Sequence, residues 1–191
     1  MTKMALIKGE MCFSPNYKFK YLDPKNFESI LNAFRDRIEG WYLNILKHLL
    51  EDSQNDFIVV AIECMLIDTL AGYRYGCKTN HIIYPKFLKE FLNMTEEEAV
   101  GFYKRFRCGI LHETRIKENS YISREIDDLL LMKNNEMFLN PEILYGKLKN
   151  YFDEYMQDLT DNEKTEQINN FKKHFKELFH EEKDIDLSSW N

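Results

Sequence analysis

Glycine and proline are scarce in this chain, at 7 and 4 of its 191 residues. Their scarcity excludes collagen-like and linker-rich architectures and leaves long stretches free to be helical. Cysteine is equally sparse. Cys12, Cys64, Cys77 and Cys108 form no CxxC pair, which excludes a zinc ribbon and reads as small buried thiols in a reducing compartment. The five histidines make no HxxxH or HExxH pattern, so no metal and no cofactor is expected. There is no run of 18 apolar residues, and the apolar segment near the N-terminus is too short for a signal peptide. A cytoplasmic protein with no membrane association is the expectation. Basic charge is lacking as well: a net charge of −6 and a pI near 5.5 argue against a general nucleic-acid coat protein.

What the chain does have is apolar and aromatic mass, 44% and 14% of residues. That is enough for one domain with a sizeable core. Residues 1–22 read as an extended arm or short strand, 23–180 as a single helical domain, and 181–191 as an acidic, polar tail with a mobile end. Asp23-Pro24 suggests an N-cap with proline in the first turn. From there apolar residues recur every three or four positions as far as Leu49. Asp56 is the expected cap of a second helix over 57–75, which is apolar nearly all round and therefore central. Glu63 and Asp68 are conspicuous on it, because a carboxylate on a buried helix is costly unless paired. Arg105, Arg107 or His112 is the expected partner.

Gly72 and Gly76 can end that helix, and 79–93 reads as a connector with one short helix. The segment 117–140 reads as a loop holding a small hairpin that turns at Asn134-Asn135. Asn140-Pro141 opens a helix to about Leu159, and Asp161 or Asn162 opens the last one. The expected fold class is all-α.

The most informative stretch is 95–115, TEEEAVGFYKRFRCGILHETR. Thr95-Glu96-Glu97-Glu98 has the form of a capping box and marks a helix start. Between Lys104 and Lys117 stand five cations against the single acid Glu113, a local +4 in an acidic chain. Arg107 and His112 are separated by four residues and project about 140° apart at about 100° per residue, within the swing of a long arginine. Arg105 lies nearly in line with His112, and Gly109 would let another helix approach closely. Arginine is a permanent planar cation suited to phosphate, and histidine exchanges protons near neutrality. Together they can carry phosphodiester transfer without metal.

The segment RFRCGILHETR resembles the signature of the HEPN superfamily, in which an arginine, four to six residues and a histidine lie near the end of a long helix. The order of two long helices, the motif helix, an irregular stretch and a further helix is similar to that family's pattern over roughly residues 24–160. The resemblance implies a HEPN-like helical bundle and a metal-independent endoribonuclease, of the kind found among toxins, phage-defence effectors and RNA-processing factors. It implies Arg107 and His112 as catalytic, Lys104, Arg105 and Arg115 as holding RNA phosphates, and Glu63, Cys108 and Gly109 as supporting. Cys108 departs from the pattern, since many active members carry asparagine or another polar residue there. RNA is the implied ligand, with a homodimer through the motif helix and a separate regulatory protein as implied partners.

Two other readings stand beside it. In one, a non-catalytic module of the same fold binds RNA, a nucleotide or a protein, with Arg107 paired to Glu63. In the other, the chain is an unrelated helical interaction protein in which the spacing arose by chance.

Overall fold

The computed structural model describes residues 12–180, the backbone of Leu6–Ile7 and Glu10–Met11, and Ile185, Leu187, Ser188 and Trp190. The order begins with β1 (Leu6–Ile7) and β2 (Glu10–Met11), then α1 (Phe27–Ile38), a π-helical turn (Glu39–Leu43) and α2 (Asn44–Leu49). Helices α3 (Asp56–Tyr75), α4 (Ile83–Leu92) and α5 (Glu96–Phe102) come next, then a second π-helical turn (Tyr103–Arg107) and α6 (Cys108–Glu113). Strands β3 (Ser120–Ile122), β4 (Leu130–Lys133) and β5 (Glu136–Leu139) lead into α7 (Pro141–Asp158) and α8 (Thr165–Phe179). Helices dominate, so the expected helical class holds in its coarse form. Beside them lies a small three-stranded sheet, of which the sequence suggested the hairpin and not the third strand.

The chain divides into two compact units, where the sequence suggested one domain over 23–180. The first comprises Met1–Ile45, Tyr73–Cys77 and Glu154–Asn191. Its centre is aromatic. Phe34, Tyr73 and Phe171 lie with ring centroids 4.5 to 5.1 Å apart, and Phe13 packs on Phe175 and Phe179. Buried rings of this kind are a large part of a core's apolar area. The first helix starts later than Asp23-Pro24 suggested. Asn26 is its cap, accepting from the Ser29 amide at 3.1 Å, while Asp23 closes a turn onto the Lys25 amide. Of the expected arm, β1 and β2 pair antiparallel and Phe13, Phe19 and Leu22 are buried; residues 1–5, 8 and 9 lie outside the described residues. The tail departs from a mobile polar end in the part described. Ile185, Leu187 and Trp190 are buried, and the Trp190 indole donates to the Pro24 carbonyl at 2.6 Å. At the start of α8 neither Asp161 nor Asn162 is the cap. Asp161 accepts from Glu163 in a turn, and the helix begins at Thr165.

The second unit comprises Leu46–Gly72 and Lys78–Asp153, and it holds every residue of the motif. Val59, Val60, Leu66, Ile67, Phe87, Phe102, Phe106, Leu144 and Phe152 form its core. Asn140 caps α7 as the sequence indicated, its side-chain oxygen accepting from the Glu142 and Ile143 amides at 3.0 and 3.3 Å. The hairpin is present too. Lys133 pairs with Glu136, and Asn134 and Asn135 both take positive φ, 51° and 64°, which a two-residue I′ turn requires. Unforeseen is β3, which joins β5 in parallel, so the strand order is β3-β5-β4.

Asp56 does not spend its side chain on capping α3. Its carboxylate meets the Arg124 guanidinium at 2.5 Å, and Arg124 also reaches Glu142 at 2.6 Å and the Leu50 carbonyl at 2.9 Å. The loop after β3 is thereby tied to the starts of α3 and α7. The Asp56 hydrogen bond holds the guanidinium pKa above its usual range.

Candidate functional site

The motif lies on α5, the π turn and α6, one continuous helical path over 96–113. Its start is built as the sequence indicated. The Thr95 hydroxyl oxygen accepts from the Glu98 amide, and the Glu98 carboxylate accepts from the Thr95 amide at 2.8 Å. Phe102 and Phe106 anchor the path from within, both fully buried with ring centroids 5.4 Å apart. The π turn at Tyr103–Arg107 widens the helix by one residue ahead of Arg107, a local device often found at functional sites. Sequence periodicity gave no sign of it. At the far end Thr114 takes φ 54°, and the Arg115 amide donates back to the Gly109 carbonyl at 3.2 Å.

Arg107 and His112 are brought together. Arg107 Nη1 lies 2.8 Å from His112 Nε2. The rest of the guanidinium is held from the opposite side, where Nε and Nη2 donate to Asp68 Oδ2 at 3.1 and 3.0 Å. Thr79, in the connector between α3 and α4, donates its hydroxyl to the other oxygen, Asp68 Oδ1, at 2.7 Å. The Tyr103 ring faces the guanidinium at 5.4 Å, within cation–π range. Arg107 and Asp68 are only 18% and 21% exposed, while His112 is open to solvent. Burial alone would lower the Arg107 pKa; the Asp68 charge and hydrogen bond, with Cys108 and Tyr103, raise it instead. The guanidinium is therefore a fixed cation, stapled at one end and presenting the other to the histidine.

Glu63 does not take the supporting place. It is fully buried, and neither carboxylate oxygen has a hydrogen-bond partner among the described residues. Burial, and then the nearby Asp56 charge, raise its pKa well above the usual carboxylate range. The physical reason is rotational: Asp68, five residues on, emerges on the side of α3 that meets Arg107, and Glu63 stays in the core. The pairing of Arg107 with Glu63 falls with it. Cys108 is half-buried beside Tyr103 and Arg107, so it lines the cation.

Gly109 does admit a close neighbour, but it is the chain's own return loop and not another helix. A Cβ there would overlap the Arg115 carbonyl oxygen and crowd Lys117. That loop neutralises much of the basic cluster. Arg105 pairs with Glu118 at 3.4 Å, and Glu113 takes both Arg115, at 2.8 Å, and Lys117. The Lys117 hydrogen bond pulls the Glu113 pKa below its usual value; desolvation opposes it, and the Arg115 hydrogen bond adds to the fall. Five cations therefore face three carboxylates, Asp68, Glu113 and Glu118, so the local excess is two and not four. Lys104 is exposed and has no ion pair among the described residues.

No family model, curated protein or solved structure matches this chain. Among the described residues no three His, Cys, Asp or Glu side chains are grouped to hold a metal ion, and no helix is long and apolar enough to cross a membrane. What the site offers is a fixed guanidinium, an exposed imidazole in contact with it, and a carboxylate and hydroxyl behind them. These are suited to binding a phosphate and moving one proton beside it. Sequence reasoning weighed Asp68 but gave the supporting role to Glu63, and it missed Thr79 and Tyr103. Tyr103 could have been found from its spacing, four residues before Arg107 on one helix face.

Proposed function

We propose that the protein is a metal-independent endoribonuclease of HEPN type. The observation that carries the reading is the Arg107–His112 contact at 2.8 Å on a guanidinium stapled to Asp68. In this chemistry the ribose 2′-hydroxyl attacks the adjacent phosphorus. The O2′–P bond forms, the P–O5′ bond breaks, the 2′-hydroxyl proton passes to a base, and an acid gives the leaving 5′-oxygen a proton. The products are a 2′,3′-cyclic phosphate and a 5′-hydroxyl. His112 exchanges protons, and Arg107 stabilises the charge that grows on the phosphate oxygens. One chain supplies one motif histidine while the reaction moves two protons, so a homodimer through the motif helix, bringing a second histidine, accompanies the proposal. Lys104 is the cation readiest to hold a flanking phosphate. Arg105 and Arg115 do so by exchanging Glu118 and Glu113 for RNA.

The test is incubation of the purified chain, His112→Ala and Arg107→Ala with cellular RNA in EDTA, with analysis of fragment ends. The parent should cleave and leave cyclic phosphates. Each variant should lose about 10²- to 10⁴-fold in rate while keeping its helical circular dichroism. Cleavage undiminished in both variants would sink the assignment.

One observation favours a second reading, a non-catalytic module of the same fold that binds RNA, a nucleotide or a protein. Asp68, Glu113 and Glu118 already occupy most of the cations. RNA retained without cleavage under the same conditions would select it.

A further inference from the structure

Thr79, Asp68, Arg107 and His112 form one unbroken line of hydrogen bonds, and the direction of each bond can be assigned from chemistry alone. Arginine carries N–H donors and no acceptor. At the 2.8 Å contact Arg107 Nη1 therefore donates and His112 Nε2 accepts. A ring nitrogen that accepts carries no proton, so the neutral ring keeps its proton on Nδ1. Histidine free in water prefers the other neutral tautomer, protonated on Nε2. The line thus holds His112 in its less favoured form.

The hold comes from behind. Asp68 Oδ2 accepts from two N–H groups on one edge of the guanidinium, and the Thr79 hydroxyl on Oδ1 fixes the carboxylate. Without Asp68 the buried end of Arg107 would lose its anchor, and Nη1 would no longer be aimed at Nε2.

We propose that Asp68 and Thr79 are positioning residues which, through Arg107, hold His112 as its Nδ1–H tautomer and so present Nε2 as the general base. This rests on the ribonuclease reading and decides a point it leaves open, whether His112 of the attacked site begins as acid or base. When a phosphate draws Arg107 Nη1 onto its own oxygen, the Nε2 lone pair is released beside the 2′-hydroxyl. Binding of the anion and exposure of the base become one event.

The tautomer is read by long-range proton–nitrogen correlation spectra of the full nitrogen-15-labelled chain at mildly alkaline pH, with His112 signals identified by their loss in His112→Gln. The parent should show a protonated-type Nδ1 and a bare-type Nε2. Asp68→Ala should move the ring to the Nε2–H pattern, and Thr79→Val should move it part of the way. A parent ring protonated on Nε2, or a pattern unchanged in both variants, overturns the proposal. Should Asp68→Ala lose its helical circular dichroism, the parent and Thr79→Val spectra decide the matter alone.

With RNA, Asp68→Ala should lower kcat on the order of 10²-fold, the scale of a misplaced reacting group, with a smaller change in KM. An unchanged kcat beside an altered tautomer also overturns the proposal. The spectra need no substrate, so they separate the two ideas. A parent that holds Nδ1–H yet never cleaves RNA refutes the ribonuclease, while the hydrogen-bonded line stands as a structural finding.

Discussion

Replacing Glu63 with methionine should stabilise the protein, and increasingly so as the pH rises. The side chain is fully buried with both oxygens unpartnered among the described residues, and burial followed by the Asp56 charge raises its pKa well above 4.5. The folded chain therefore keeps a proton on Glu63 that the unfolded chain releases near its ordinary value. A group whose folded pKa is raised contributes its stability fully below the unfolded pKa. That contribution is lost as pH climbs from there through the folded pKa. One proton retained only in the folded state gives a slope of about 1.4 kcal/mol per pH unit. From about pH 5 upward the parent should therefore lose stability relative to Glu63→Met, with that slope as its limit. Removing two unpaired polar atoms should add about 1–3 kcal/mol in favour of methionine at every pH. The assay is urea unfolding followed by circular dichroism across this range. Only the difference between the two chains is used, which cancels the other titrating groups. Parallel pH profiles, or a parent that gains on the variant as pH rises, would refute the reasoning.

Gly109→Ala should destabilise by about 1–3 kcal/mol, because the new methyl meets a backbone carbonyl and not a side chain that could yield. An unchanged urea midpoint would count against the close approach of the 115–117 loop. Asn135→Gly should act in the opposite sense, raising stability by about 0.5 kcal/mol, since φ of 64° in an I′ turn is easier for glycine than for asparagine. A lower thermal midpoint would contradict that turn assignment.

Much of the helical order was legible in the sequence because its signals are local. The Thr95–Glu98 capping box, the Asn140-Pro141 start and the Asn134-Asn135 turn each depend on residues within four positions of one another, and each is built as written. Gly76, with φ 62°, likewise ends α3 where the sequence suggested. The site was legible only along its own helix. Whether Glu63 or Asp68 faces Arg107 depends on the rotation of α3 against the motif helix, set by packing of residues about forty positions apart in the chain. Glu118 lies one residue beyond the basic stretch and changes its charge balance through a folded loop. Strand β3 has three residues and pairs in parallel with a distant strand, so no neighbouring turn announced it. The tail was misjudged from composition, because Ile185, Leu187 and Trp190 are few among polar neighbours yet all are buried.

The π-helical turn at Tyr103–Arg107 makes the winding of the helix itself a determinant of aim. A π turn is an α-helix with one residue too many. The wider turn absorbs that residue, so α6 leaves it aimed as an ordinary helix one residue shorter would aim it. Wound as an ordinary helix, the same residues would turn α6 by about 100° against α5. Phe102 would keep its place in the core while Arg107 turned away from Asp68. The composition and the arginine–histidine spacing would not change, yet the guanidinium would point elsewhere. A related chain one residue shorter across this turn would hold the same aim in an ordinary helix, so the count of residues here is as informative as the motif itself.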